Sequence, residues 1–119
     1  INNLLISISN YDNGAPVNIE NFQDVAKYWS DLKGYVLSLQ FSPTSPFRDN
    51  AVVEVDISDL KKALTLIGDA PVLANGSQNG IAAAGSVSDA IYAYTGKLIE
   101  VRSILKDAYS FSDVNTLSW

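Results

Sequence analysis

Residues 18–41 read "NIENFQDVAKYWSDLKGYVLSLQF", and the way this stretch divides decides the fold. Its first part is spaced for a helix: Ile19, Phe22, Val25-Ala26, Trp29 and Leu32 recur every three or four residues and trace one face, which is core. Asn18 is a good N-cap, because its side-chain oxygen accepts from a first-turn N–H, and Glu20 suits the positive end of the helix dipole. Gly34 is the expected stop. Beyond it "YVLSLQF" alternates, with Tyr35, Leu37, Leu39 and Phe41 set against Val36, Ser38 and Gln40, the period of a half-buried strand. The Pro-rich "SPTSPFRDN" then makes a turn, and "AVVEVD" at 51–56 is expected to pair with the first strand. On this reading a core helix leads into a small β-ribbon.

Upstream, "INNLLISISN" carries Ile1, Leu4, Leu5 and Ile8 at helical spacing and reads as a short helix, although its alternation also allows a strand. Downstream, "DISDLKKALTLIG" gives a third helix, capped by Ser58 or Asp56, with Leu60, Ala63, Leu64 and Ile67 facing inward and Gly68 at its end. Residues 68–85, "GDAPVLANGSQNGIAAAG", show no periodicity; so long a stretch without an element is usually functional or disordered. Its Gly content predicts a segment that is mobile in the isolated subunit. Ser86 then caps a last helix, with Asp89 at its third position much as in a capping box. Val87, Ile91, Tyr94, Leu98, Val101, Leu105 and Ala108 alternate spacings of four and three, the seam of a helical bundle. Gly96 interrupts that helix at a cost of ~1 kcal/mol relative to Ala, so close approach of another group is plausible there. The expected architecture is therefore all-α: one domain over residues 1–119, an antiparallel four-helix bundle with a two-stranded or few-stranded β-ribbon at one end.

Composition narrows the function. At 119 residues with 47% apolar and 18% charged side chains, the chain can bury a core. It has no Cys and no His, which removes thiol chemistry, the commonest general base and the commonest metal ligands. No metal, cofactor or enzymatic activity is expected. Glu54 and Asp56, on one face of the second expected strand, are open to acid–base work or to the plainer role of a solvated face. The net charge of −5 and scattered basic residues argue against a generic polyanion binder. No apolar run approaches the ~20 residues that span a bilayer. The missing initial Met points to processing or to a fragment, and Asn75-Gly76-Ser77 fits the short glycosylation pattern.

The end of the chain, "AYSFSDVNTLSW", strings Tyr109, Phe111, Leu117 and Trp119 among polar residues. Exposed aromatics invite association, so this tail either folds back or is covered by another molecule.

The ordered elements resemble the coat proteins of tobacco-mosaic-virus-like rods, through nearly the whole chain. "NNLLISISN" resembles the first helix of that bundle, "NFQDVAKYW" the second, and "VLSLQFSP" the strand that ends in a Phe-Pro turn. "LKKAL" is similar to the start of the third helix, "SDA" followed by "KLIEV" to the fourth, and "SFSDVNTLSW" to the Phe-to-Trp closing segment. The resemblance implies a virion coat subunit in the cytoplasm of a host cell, which self-assembles into a helical rod or disc around single-stranded RNA. It assigns RNA contact to Asp89, Tyr92, Ala93 and Gly96, the positions that match nucleotide-contacting ones, with Tyr92 able to stack a base. It also matches Asp24 to an acid at the subunit contact, with Glu54, Asp56 and Asp59 as further interface carboxylates, and makes Tyr109, Phe111 and Trp119 apolar contacts between subunits. Like charges pressed together hold protons more readily, so assembly is expected to be favoured by mild acid. The sequence departs from the family in one respect: residues 68–88, where the family places arginines, contain no Lys or Arg. The alternative from another class is a monomeric soluble binding module that grips a protein or small ligand with the 68–85 loop.

Overall fold

The computed structural model describes residues 1–11, 19–48, 55–112 and Thr116. Among them are four helices and no strand: α1 (Asn2–Ser9), α2 (Ile19–Ser38), α3 (Ile57–Ile67) and α4 (Val87–Ala108). Each helix packs against two others, α1 on α2, α2 on α3, α3 on α4 and α4 on α1. The core between them is Leu4 and Ile8 of α1, Val25, Leu32 and Val36 of α2, Leu60, Ala63 and Ile67 of α3, and the α4 seam from Ile91 to Ala108. The seams expected for α1, α3 and α4 face this core, with Ile1, Leu5 and Leu64 partly buried at its edge and Val87 exposed. Phe22, placed on the core face of α2 by its spacing, is instead exposed.

The ribbon is where the structure departs from the sequence reading. Residues 35–38 continue α2, and residues 39–41 close it with N–H bonds from Leu39, Gln40 and Phe41 to the carbonyls three residues back. Gly34 does not stop the helix. Its backbone stays out of the left-handed region that a glycine cap uses, and a Cβ added there would meet nothing within 4 Å. The reason lies in the seam. Val25, Trp29, Leu32, Val36 and Leu39 are spaced four, three, four and three, so continuing the helix buries Val36 fully and Leu39 almost fully. Burying one such side chain stabilises by ~1.5–3 kcal/mol, against ~1 kcal/mol for a mid-helix glycine. Of Tyr35, Leu37, Leu39 and Phe41, the apolar face of the expected strand, only Leu39 is buried, and the other three are exposed. Residues 51–54 of the second expected strand, like Asn18, lie outside the described residues. Asp56 is the α3 N-cap: its carboxylate accepts from the Ser58 N–H, and Asp59 reciprocates onto the Asp56 N–H.

Two loop residues complete the core, Phe47 and Val72, each following a proline in a connecting segment. The second belongs to the 68–85 stretch, which is stitched to the end of α3. The Ile67 carbonyl accepts from Trp29 Nε1 (3.2 Å), the Tyr94 hydroxyl (2.9 Å) and Gln78 Nε2 (3.3 Å), and Gln78 Nε2 also donates to the Ala70 carbonyl (2.8 Å). Lys33 donates to the Gly68 carbonyl (2.6 Å) and the Leu64 carbonyl (3.3 Å). These donors satisfy carbonyls that a helix C-terminus leaves without intrahelical partners, and Lys33 puts a cation at its negative end. Gln78 and Ile81 exchange backbone bonds, and Asn75 Oδ1 accepts from both the N–H and hydroxyl of Ser77. The sequence predicts mobility here because it shows no periodicity; the structure gives the stretch polar side-chain contacts and a buried Val72 that oppose it. In the isolated protein the amides of Gly76, Gln78 and Ile81 should therefore exchange at least ~10-fold more slowly than an open chain. Exchange at the open-chain rate, followed by NMR, would contradict this packing.

Candidate functional site

The end of α4, the middle of α2 and the start of the chain enclose a cleft of about 360 Å³. Leu32 and Leu105 come from the core face of their helices, so the cleft opens off the core itself. Its aromatic wall is Tyr28 and Tyr35 of α2 with Tyr109 and Phe111 beyond α4. The wall is held in place by local contacts. Tyr109 and Phe111 stack with centroids 5.6 Å apart and planes within 12°, and the Tyr35 hydroxyl donates to that of Tyr109 at 3.2 Å. Burial pushes the Tyr109 phenol above the usual tyrosine range, so it stays neutral. Asp31 brings a carboxylate to the cleft and Asn3 an amide.

Part of the tail does fold back. Asn2 donates from Nδ2 to the carbonyl of buried Thr116 at 3.1 Å, while its Oδ1 accepts from Arg102 at 2.7 Å. Tyr109 and Phe111, two expected subunit contacts, line the cleft with Phe111 still 41% exposed. Trp119 lies outside the described residues.

The four positions assigned to RNA share one exposed face of α4: Asp89, Tyr92, Ala93 and Gly96 are spaced three, one and three residues apart, opposite the buried seam. Tyr92 is 81% exposed, and space around Gly96 is open, with nothing within 4 Å of an added Cβ. Asp89 helps to start the helix, its N–H donating to the Ser86 hydroxyl at 3.0 Å. Lys97 stands exposed on the next turn.

Of the carboxylates expected at a subunit interface, Asp24 is exposed on α2, and Glu54 lies outside the described residues. Asp56 and Asp59 hold the α3 N-terminus together as described above. Hydrogen bonds from the Ser58 hydroxyl and N–H keep the Asp56 pKa below its ordinary value, so the folded state favours its ionised form. Among the described residues no group of three or more metal-binding side chains comes together, and no helix is long and apolar enough to cross a membrane.

The cleft was not visible in the sequence. Its wall combines Tyr28 and Tyr35, one helical heptad apart, with two aromatics more than seventy residues further on. Only the pair spacing Tyr28, Tyr35 carried a signal, and the strand reading of residues 35–41 hid it. No family model, curated protein or solved structure matches this chain.

Proposed function

We propose that this chain is a structural subunit that self-associates into rods or rings. One observation supports the reading above others: Tyr92, Phe41 and Ile81 are 81%, 79% and 72% exposed, on α4, at the end of α2 and in the 68–85 segment. Association would cover these side chains, and the burial of such apolar surface between copies would favour it. The four helices run alternately up and down as an antiparallel bundle in this reading, supported by the packing of each helix on its sequence neighbours and of α1 on α4. The coat subunit that the sequence resembles serves as the template, with single-stranded RNA lying along the outer face of α4. There Tyr92 offers a ring for base stacking, and Lys97 a charge for phosphate.

Purified protein viewed by negative stain and followed by light scattering should form rods or rings, more extensively on warming, since apolar burial drives association more strongly then. Mild acid should favour the assembly, because carboxylates at its contacts repel until they share protons. Tyr92→Lys combined with Phe41→Lys should leave dispersed subunits with an unchanged helical spectrum. A monodisperse monomer at high concentration between about pH 5 and about pH 8 would overturn the proposal.

A second reading, a monomeric binding module, draws support from the aromatic cleft. In it the ligand site moves from the 68–85 loop, whose Gln78 and Asn75 side chains are engaged within the chain, to the far end of α4.

A further inference from the structure

We propose that the cleft between Tyr28, Tyr35, Tyr109 and Phe111 is a binding site for a small alkylated ammonium ion, with Asp31 as its counter-charge. The proposal is independent of self-association and concerns the dispersed subunit. Four aromatic rings line a concavity of about 360 Å³, within the size range of small-molecule sites. The faces of such rings carry negative potential and attract cations, most effectively where water is excluded. Asp31 is the one acidic side chain among the cleft's lining residues, which include no Lys or Arg side chain; the Ile1 amino group also belongs to the lining, and burial, then Arg102, disfavour its charged form. Asp31 makes no ion pair or hydrogen bond with the other described residues. Lys27, one turn earlier on α2, lies instead over the Tyr28 ring, its ammonium 5.4 Å from the centroid. The chain therefore already presents one of these rings to a cation while leaving the carboxylate open.

The polar groups decide which cation fits. A primary ammonium carries three N–H donors and needs acceptors for each. Beyond Asp31, Asn3 and the phenol oxygens at the ring ends, the lining is Leu32, Leu105, Phe111 and ring surface, which offer such a group no strong acceptor. A trimethylated ammonium has no N–H to satisfy, and its methyl groups pack against Leu32, Leu105 and the rings. Charge and apolar surface then act on one guest.

The test compares choline with 3,3-dimethylbutan-1-ol, the neutral molecule of the same shape, in titrations of dilute subunit followed by NMR of the tyrosine rings. Choline should bind with Kd on the order of 1 mM, as suits so small a ligand, and ~10-fold tighter than the alcohol, a preference expected from cation–π and carboxylate attraction together. The shifts should fall on Tyr28, Tyr35 and Tyr109. Asp31→Asn, at an exposed position, should weaken choline several-fold and leave the alcohol unchanged. Tyr35→Ala should weaken both, whereas Tyr92→Ala, more than ten residues further up α4, should alter neither. Equal binding of choline and the alcohol, ring shifts confined to other tyrosines, an unaltered Asp31→Asn variant, or no binding up to tens of millimolar would each overturn the proposal.

Discussion

Val36→Asp is expected to destabilise the protein on the order of 4 kcal/mol, while Leu37→Asp beside it costs less than ~1 kcal/mol. The two residues are neighbours on α2 with opposite environments. Val36 is fully buried between Leu32 and Leu39 on the seam, whereas Leu37 is 40% exposed. A carboxylate at 36 would have to sit unpaired in an apolar core or take up a proton there, and both outcomes are costly. At 37 it reaches water. A total stability of ~5–15 kcal/mol makes the first change close to unfolding for a domain of this size. Where Val36→Asp yields no folded protein, Val36→Ala and Leu37→Ala carry the same contrast at smaller amplitude. Urea unfolding of each pair reads it directly. A strand at 35–41 predicts the reverse order, because it turns Leu37 inward and Val36 out, so greater damage at 37 would restore the β-ribbon and remove the extended α2.

Gly68→Ala should cost roughly 2–4 kcal/mol, large for the addition of one methyl group. Gly68 ends α3 with φ +82° and ψ −175°, a region open essentially to glycine alone. Strain of this kind costs ~1–3 kcal/mol for a residue with a side chain. A Cβ at this point would also lie 2.6 Å from Gln78 Nε2. To relieve that contact Gln78 must move, loosening its bonds to the Ile67 and Ala70 carbonyls, each worth ~1 kcal/mol. Thermal unfolding should show the Tm fall by roughly 10 °C, given the unfolding entropy of a chain this long. Gln78→Ala, which removes the obstructing amide, should make the added methyl less damaging, so the two changes together cost less than their sum. Strict additivity would show that Gly68 and Gln78 do not interact, and a loss below ~0.5 kcal/mol would show that this turn is not the one α3 adopts.

The cap of α3 and the seams of α1, α3 and α4 were legible in the sequence because they are written in local periodicity. Leu60, Ala63 and Ile67 share a face wherever that helix is placed, and Asp56 lies beside the N–H groups it caps. The same rule applied to residues 35–41 was ambiguous. Tyr35, Leu37, Leu39 and Phe41 alternate as a strand does, yet Leu32, Val36 and Leu39 also continue a helix. Local spacing does not rank the two. The neighbouring helices do, by offering burial to Val36 that outweighs a glycine in the helix interior.

What only the tertiary structure decided is what meets across long separations. Phe47 and Val72 are apolar residues in proline-containing connections, with no period to announce them as core. The order of the 68–85 segment depends on Trp29, Gln78 and Tyr94 converging on one carbonyl at Ile67, and no window of sequence holds all four. The aromatic cleft likewise needs α2 extended past Gly34 before Tyr35 can meet Tyr109. The sequence determined which faces were apolar, since side-chain direction follows backbone period. Which of those faces would be covered was decided by packing, because burial depends on the surface that another element presents.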